Sequence, residues 1–167
     1  MFSPTYRLER EQFVPRPLEE VFAFFSDAHI LEAITPAFLQ FRILTPDPLK
    51  LTAGFLMDYH LKLFGVPLHW QSRIETFEPP HCFIDVQLRG PYRRWHHLHR
   101  FTAVAGGTQI VDEVDYELPW GPLGPLAHAL FVRSTLNRIF DYRRDRVAEL
   151  FSQSDGRMPL ASQPGAR

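Results

Sequence analysis

The stretch RWHHLHRFTAVAGGTQIVDEVDYEL, residues 94–118, decides the fold. Two runs of alternating character flank a Gly106-Gly107 pair, the pattern of two antiparallel strands joined by a tight turn. Strand side chains alternate between faces, so Trp95, His97, His99 and Phe101 share one face. Arg94, His96, Leu98 and Arg100 share the other. A two-residue turn at the glycine pair predicts Phe101 opposite Asp112 and His99 opposite Val114. It also sets His97 against Tyr116 and Trp95 against Leu118. On the reverse face Arg100 meets Glu113 and His96 meets Glu117, a charge-complementary pairing suited to solvent. The first face is aromatic and apolar, with His97, His99 and Asp112 embedded in it. A turn one residue longer would reverse the faces and bring Glu113, Asp115 and Glu117 beside the histidines.

Working outward, TYRLEREQFV reads as a first strand, ended by Pro15 and Pro17. PLEEVFAFFSD follows as a helix, with Pro17 at its start and Glu19 and Glu20 in the first turn, where the helix dipole favours acids. Leu18, Val21, Phe22 and Phe25 recur at helical spacing. Asp27 can cap a second short helix over residues 28–34. FLQFRILTP, GFLMDYHLKLF, LHWQSRIETFE and CFIDVQLR are then strands between Gly/Pro turns, followed by the hairpin. After Pro125, Leu126, Leu130, Phe131, Ile139, Phe140, Val147 and Leu150 mark one amphipathic helix over residues 123–151. YRRDR, near Tyr142, reads as its solvated face, with Asp145 as an ion partner.

The expected architecture is α+β: a seven-stranded antiparallel sheet, two short helices after the first strand, and a long C-terminal helix covering the apolar face. A curved sheet around one helix leaves space for a cavity. The 167 residues suit a single domain over 1–151, with 152–167 as a small, polar, disordered tail. A net charge of −1 gives no bulk field for nucleic acid or anionic lipid. The lone Cys82 forms no internal disulfide, the start of the chain has no signal-peptide core, and no run approaches the ~18 apolar residues of a spanning helix. A cytoplasmic domain is expected.

This order of elements resembles the helix-grip fold of the START-like superfamily, also called SRPBCC. That superfamily includes birch-pollen-allergen-like and polyketide cyclase/dehydrase-like proteins. GPYRRWHHLHRF is similar to a Gly-Pro-aromatic, Trp-x-His-x-His-x-Phe pattern of a bacterial ligand-binding branch, and GGTQIVDEVDYELPWGPLG is similar to the strand and loop that follow it there. The resemblance implies a lipid-, sterol- or polyketide-like ligand between sheet and helix. Only some members are enzymes.

The inner walls follow from turn geometry. A turn at Val66-Pro67 aligns Tyr59, Leu61 and Leu63 with Trp70, Ser72 and Ile74. For CFIDVQLR two readings stay open. A two-residue Gly90-Pro91 turn puts Cys82, Ile84, Val86 and Leu88 inside. A bulge at Pro91 instead turns Phe83, Asp85 and Gln87 inward. Candidate ligand-binding residues are Tyr59, Trp70, Asp85, Trp95, His97, His99, Asp112 and Tyr116, with Trp120 on a loop at the mouth and Phe131 on the helix.

Three functions fit. The first is binding of a small, largely apolar ligand, with the histidines and Asp112 as polar contacts. The second is cyclase- or dehydratase-like chemistry, with His97 or His99 and Asp112 as an acid–base pair. The third is a non-catalytic domain whose sheet edge mediates homodimerisation or regulates a partner. His97 and His99 can reach one ion with Asp112 or Asp85, but His-x-His alone is too common to assign a metal, and no cofactor is assigned. The same residues also suit a satisfied polar network under the helix, with little cavity.

Overall fold

A computed structural model describes residues 4–63 and 65–154. Strand β1 (Thr5–Val14) leads into α1 (Leu18–Phe25) and α2 (Ile30–Ala33). Then come β2 (Arg42–Ile43), β3 (Leu56–Leu63), β4 (Val66–Glu78), β5 (Cys82–Arg89), β6 (Arg94–Val104) and β7 (Gly107–Glu117). After a 3-10 turn, α3 (Gly124–Ala127), a π-helical segment (His128–Val132) and α4 (Arg133–Ser154) close the chain. The sheet is antiparallel with order β1-β7-β6-β5-β4-β3-β2, so the hairpin of β6 and β7 lies between the edge strand β1 and the central strand β5. This is the helix-grip arrangement.

Local sequence accounts for most elements. In α1 the four residues at helical spacing, Leu18, Val21, Phe22 and Phe25, are the buried ones. Phe22 and Phe25 each pack 5.4 Å from the Phe101 ring on β6, clamping the helix to the sheet. Full burial of a side chain of this size is worth about 1.5–3 kcal/mol. Asp27 accepts the backbone N–H of His29 at 3.0 Å ahead of the second helix, but it is not the expected cap: the N-cap residue is His29, which makes no side-chain capping bond. The helix it precedes is shorter than expected.

Two further local expectations are corrected. FLQFRILTP is not one strand: a 3-10 turn at Ala37–Leu39 precedes the two-residue β2. The β3–β4 register pairs Leu63 with Val66 and Tyr59 with Trp70, rather than turning at Val66-Pro67. The shift is an even number of residues, so the expected inner wall survives.

The long helix is interrupted. The π-helical segment carries an extra residue per turn, which rotates the phase of what precedes it relative to α4. Val132, Leu136, Phe140 and Val147 are buried as a result, while Leu126, Leu130 and Phe131 are exposed. The expected apolar stripe therefore faces solvent before Val132. Helix α4 runs to Ser154, so residues 152–154 of the expected tail are helical, and its remainder, residues 155–167, lies outside the described residues.

Candidate functional site

The hairpin turns at Ala105-Gly106, with Gly106 in the left-handed region at φ +82°. The register is two residues from the expected one. His99 faces Asp112, His97 faces Val114, Trp95 faces Tyr116 and Phe101 faces Ile110. The faces are unchanged, because side-chain direction repeats every two residues. His97, His99 and Asp112 are buried inside. His96 points outward opposite Asp115, not Glu117.

Strand β5 resolves the second ambiguity. Phe83 pairs with His99 and Asp85 with His97, so Phe83 and Asp85 turn inward. The two-residue Gly90-Pro91 turn is excluded. A longer loop is held by Gln87, whose amide donates to Tyr92 O at 2.7 Å and accepts the Tyr92 N–H at 3.3 Å. Gly90 leaves room for that side chain, since a Cβ there would collide with Gln87 Oε1.

Four polar side chains thus meet inside an apolar wall. His97 Nε2 lies 3.0 Å from Asp112 Oδ1, and His99 Nε2 lies 3.0 Å from Asp85 Oδ2. His97 Nδ1 is 3.4 Å from Asp85 Oδ2, and His99 Nδ1 is 2.9 Å from Asp112 Oδ1. The last contact is out of line for a hydrogen bond, which leaves His99 Nδ1 buried without one. The imidazole rings are 3.7 Å apart, and Phe83 stacks on His99 at 4.2 Å.

Burial and charge act against each other here. Burial disfavours the charged forms of all four groups. At Asp85 and Asp112 it is outweighed by the hydrogen bonds and charges of the two histidines, which hold both carboxyls below their usual range. Burial and repulsion from His99 lower the proton affinity of His97. At His99 the carboxylates of Asp112 and Asp85 outweigh burial and raise it. Two adjacent imidazoles are therefore driven apart in basicity.

The cluster borders a cavity of about 150 Å³ between the inner sheet face and α4. Tyr59, Trp70 and Trp95 form one wall, with Trp70 and Trp95 edge to face at 5.3 Å. Trp70 Nε1 donates to the buried Ser72 Oγ at 3.0 Å. Leu136, Ile139 and Phe140 of α4 form the opposite wall. Asp85, His97 and His99 offer donor atoms within 4.8 Å of one another, a spacing that could also hold one metal ion.

The family model for polyketide cyclase / dehydrase and lipid transport proteins matches residues 14–139. The chain belongs to this family, within the START-like superfamily. Among curated proteins none matches it. Solved structures share the fold at low identity. The Zhui aromatase/cyclase from Streptomyces sp. R1128 aligns with a TM-score of 0.71 at 18% identity, over 90% of this chain and 95% of that one. A protein of Thermus thermophilus aligns with a TM-score of 0.69 at 18% identity, over 90% and 99%. Ara h 8.0201 aligns with a TM-score of 0.57 at 16% identity, over 86% and 98%.

Within this polyketide cyclase/dehydrase-type domain, Tyr59, Trp70, Asp85, Trp95, His97 and His99 line the cavity. Asp112 sits behind the histidines rather than at the surface of the cavity. Tyr116 is buried beside the wall, its hydroxyl 2.8 Å from His128 Nε2. Trp120 is half exposed, outside the lining. Phe131 is 55% exposed and also outside it, a consequence of the π-helical phase change. Arg143, assigned from sequence to the solvated face, lines the cavity instead. Its position was legible: it falls three residues after Phe140 and four before Val147, within the apolar stripe. Among the described residues no helix is long and apolar enough to cross a membrane.

Proposed function

We propose that this domain binds a small, largely apolar molecule in the cavity between the sheet and α4. The observation that carries this reading is an aromatic and aliphatic enclosure with its polar groups gathered at the His97, His99 and Asp85 wall. An apolar space of this size accommodates roughly one aromatic ring. The family description, which names lipid transport beside cyclase and dehydrase activity, supports it. Titration with 4-nitrophenol, a single-ring probe, followed by tryptophan emission, should give saturable quenching in the wild type. Leu136→Trp, which fills the cavity, should abolish it. Absence of saturable binding, together with no co-purifying small molecule in native mass spectrometry, overturns the reading.

A second reading, cyclase- or dehydratase-like acid–base chemistry, is favoured by the unequal basicity of the paired histidines. The Nε2 atoms of both rings are already committed to carboxylates. Proton exchange with a bound molecule would therefore run through Asp85, whose side chain is 19% exposed, and on to His99. Asp85→Asn, assayed on aromatic polyketide mimics for turnover and separately for binding, tests this. Turnover lost with affinity intact supports an enzyme, and turnover unchanged overturns it.

A further inference from the structure

We infer that Arg143 is an anion subsite, and that the ligand carries a carboxylate. The inference rests on the binding reading above. Five acidic or basic side chains border the cavity: Asp27, Asp85, His97, His99 and Arg143. The first four are engaged. Asp27 accepts from His29 Nδ1 at 2.7 Å, and Asp85, His97 and His99 are held within the cluster they form with Asp112. Arg143 stands apart. Its Nε is buried without a hydrogen-bond partner, and no ion pair to it forms among the described residues. Its guanidinium carbon lies 4.9 Å from the centre of the Phe140 ring, which supports the group's face and leaves its N–H edge unused.

Arg143 is half-buried, with its Nε buried and unpartnered. A buried N–H without a partner is costly, and an edge of two adjacent N–H donors matches a carboxylate in fork geometry. The partner acids nearby are already taken by imidazoles, so a carboxylate brought in by the ligand is the group that satisfies it. Arg143 also lies close enough to Asp85 and Tyr59 for its charge to favour their ionised forms. A ligand anchored at Arg143 thus lays its apolar body along Phe140 and Trp70, toward His97 and His99. Arg143 sets specificity for an apolar monocarboxylate over its neutral counterpart.

Calorimetric titration with 3-phenylpropanoate and with its neutral analogue 3-phenylpropanamide tests this. The wild type should bind the carboxylate about 10-fold or more tighter than the amide, the effect of one charge-assisted pair. In Arg143→Met, which keeps an apolar stem, carboxylate affinity should fall to that of the amide while amide affinity stays nearly constant. Equal affinity of the wild type for both probes overturns the subsite and leaves the binding reading standing. Equal weakening of both probes by Arg143→Met overturns it too, since the residue then only packs. Failure of both probes to bind the wild type overturns the binding reading and the subsite together, and binding of the amide alone overturns the subsite.

Discussion

Asp85 and His99 lie 3.0 Å apart across adjacent strands, fourteen residues apart in the chain. The contact exists because the β5–β6 loop is long enough to turn Asp85 inward. It couples the one partly exposed acid of the cluster to a buried imidazole, and the charge state of the cavity wall follows from that coupling.

The two histidines should titrate on opposite sides of 6.5, His99 above and His97 below. The sign of each contribution to stability follows. The raised His99 stabilises fully below pH 6.5, and this is lost as pH rises through its folded value. His97 acts oppositely, since its unfolded form binds protons more readily, so it destabilises as pH falls below 6.5. Asp85 and Asp112 stabilise above pH 3.8, and this is lost as pH falls through their folded values. NMR titration of the imidazole resonances checks the split, read as a coupled pair. In Asp85→Asn the His99 titration should move down. A single common midpoint for both rings contradicts the geometry.

Ser72 holds the aromatic wall. Its Oγ accepts from Trp70 Nε1 at 3.0 Å and lies 3.4 Å from the Tyr59 hydroxyl. Ser72→Ala strands the buried indole N–H and should cost about 1–3 kcal/mol in urea unfolding. Ser72→Thr, which keeps an oxygen, should cost less.

Gly106 and Gly107 are adjacent but constrained differently. Gly106 has open space around it and only its left-handed backbone to satisfy, so Gly106→Ala should cost about 1–2 kcal/mol. At Gly107 a Cβ would collide with the Val14 carbonyl oxygen and lie 2.9 Å from Pro15 Cα, both backbone atoms. Gly107→Ala should force strand β1 away and destabilise by about 1–3 kcal/mol. It should also increase hydrogen exchange along β1, which Gly106→Ala should not.

Phe140 joins the cavity to the core. It is buried and its ring is 5.5 Å from His97. Phe140→Ala should destabilise by about 3–5 kcal/mol, measured by thermal unfolding. The enlarged cavity should admit bulkier ligands, and saturating ligand should restore part of the melting temperature.

Much of this protein was readable in one dimension. Alternation in RWHHLHRF placed Trp95, His97 and His99 on the inner face, and the same period made Tyr59, Trp70 and Ser72 an inner wall. Helical spacing located α1 and the long C-terminal helix. These are local properties, decided by backbone geometry over a few residues.

What only the tertiary structure decided is how those local pieces meet. A register shift of two or four residues leaves every face intact, so alternation could not reveal that Asp112 stands opposite His99. Whether Asp85 turned inward depended on the length of a loop held by Gln87. The fate of Phe131 depended on a π-helical turn that advances the helix phase, and that of Arg143 on which stripe of α4 met the sheet. Periodicity tells a side chain which way to point. Its neighbour is chosen by turn length, helix phase and long-range pairing, which depend on the whole chain packing at once.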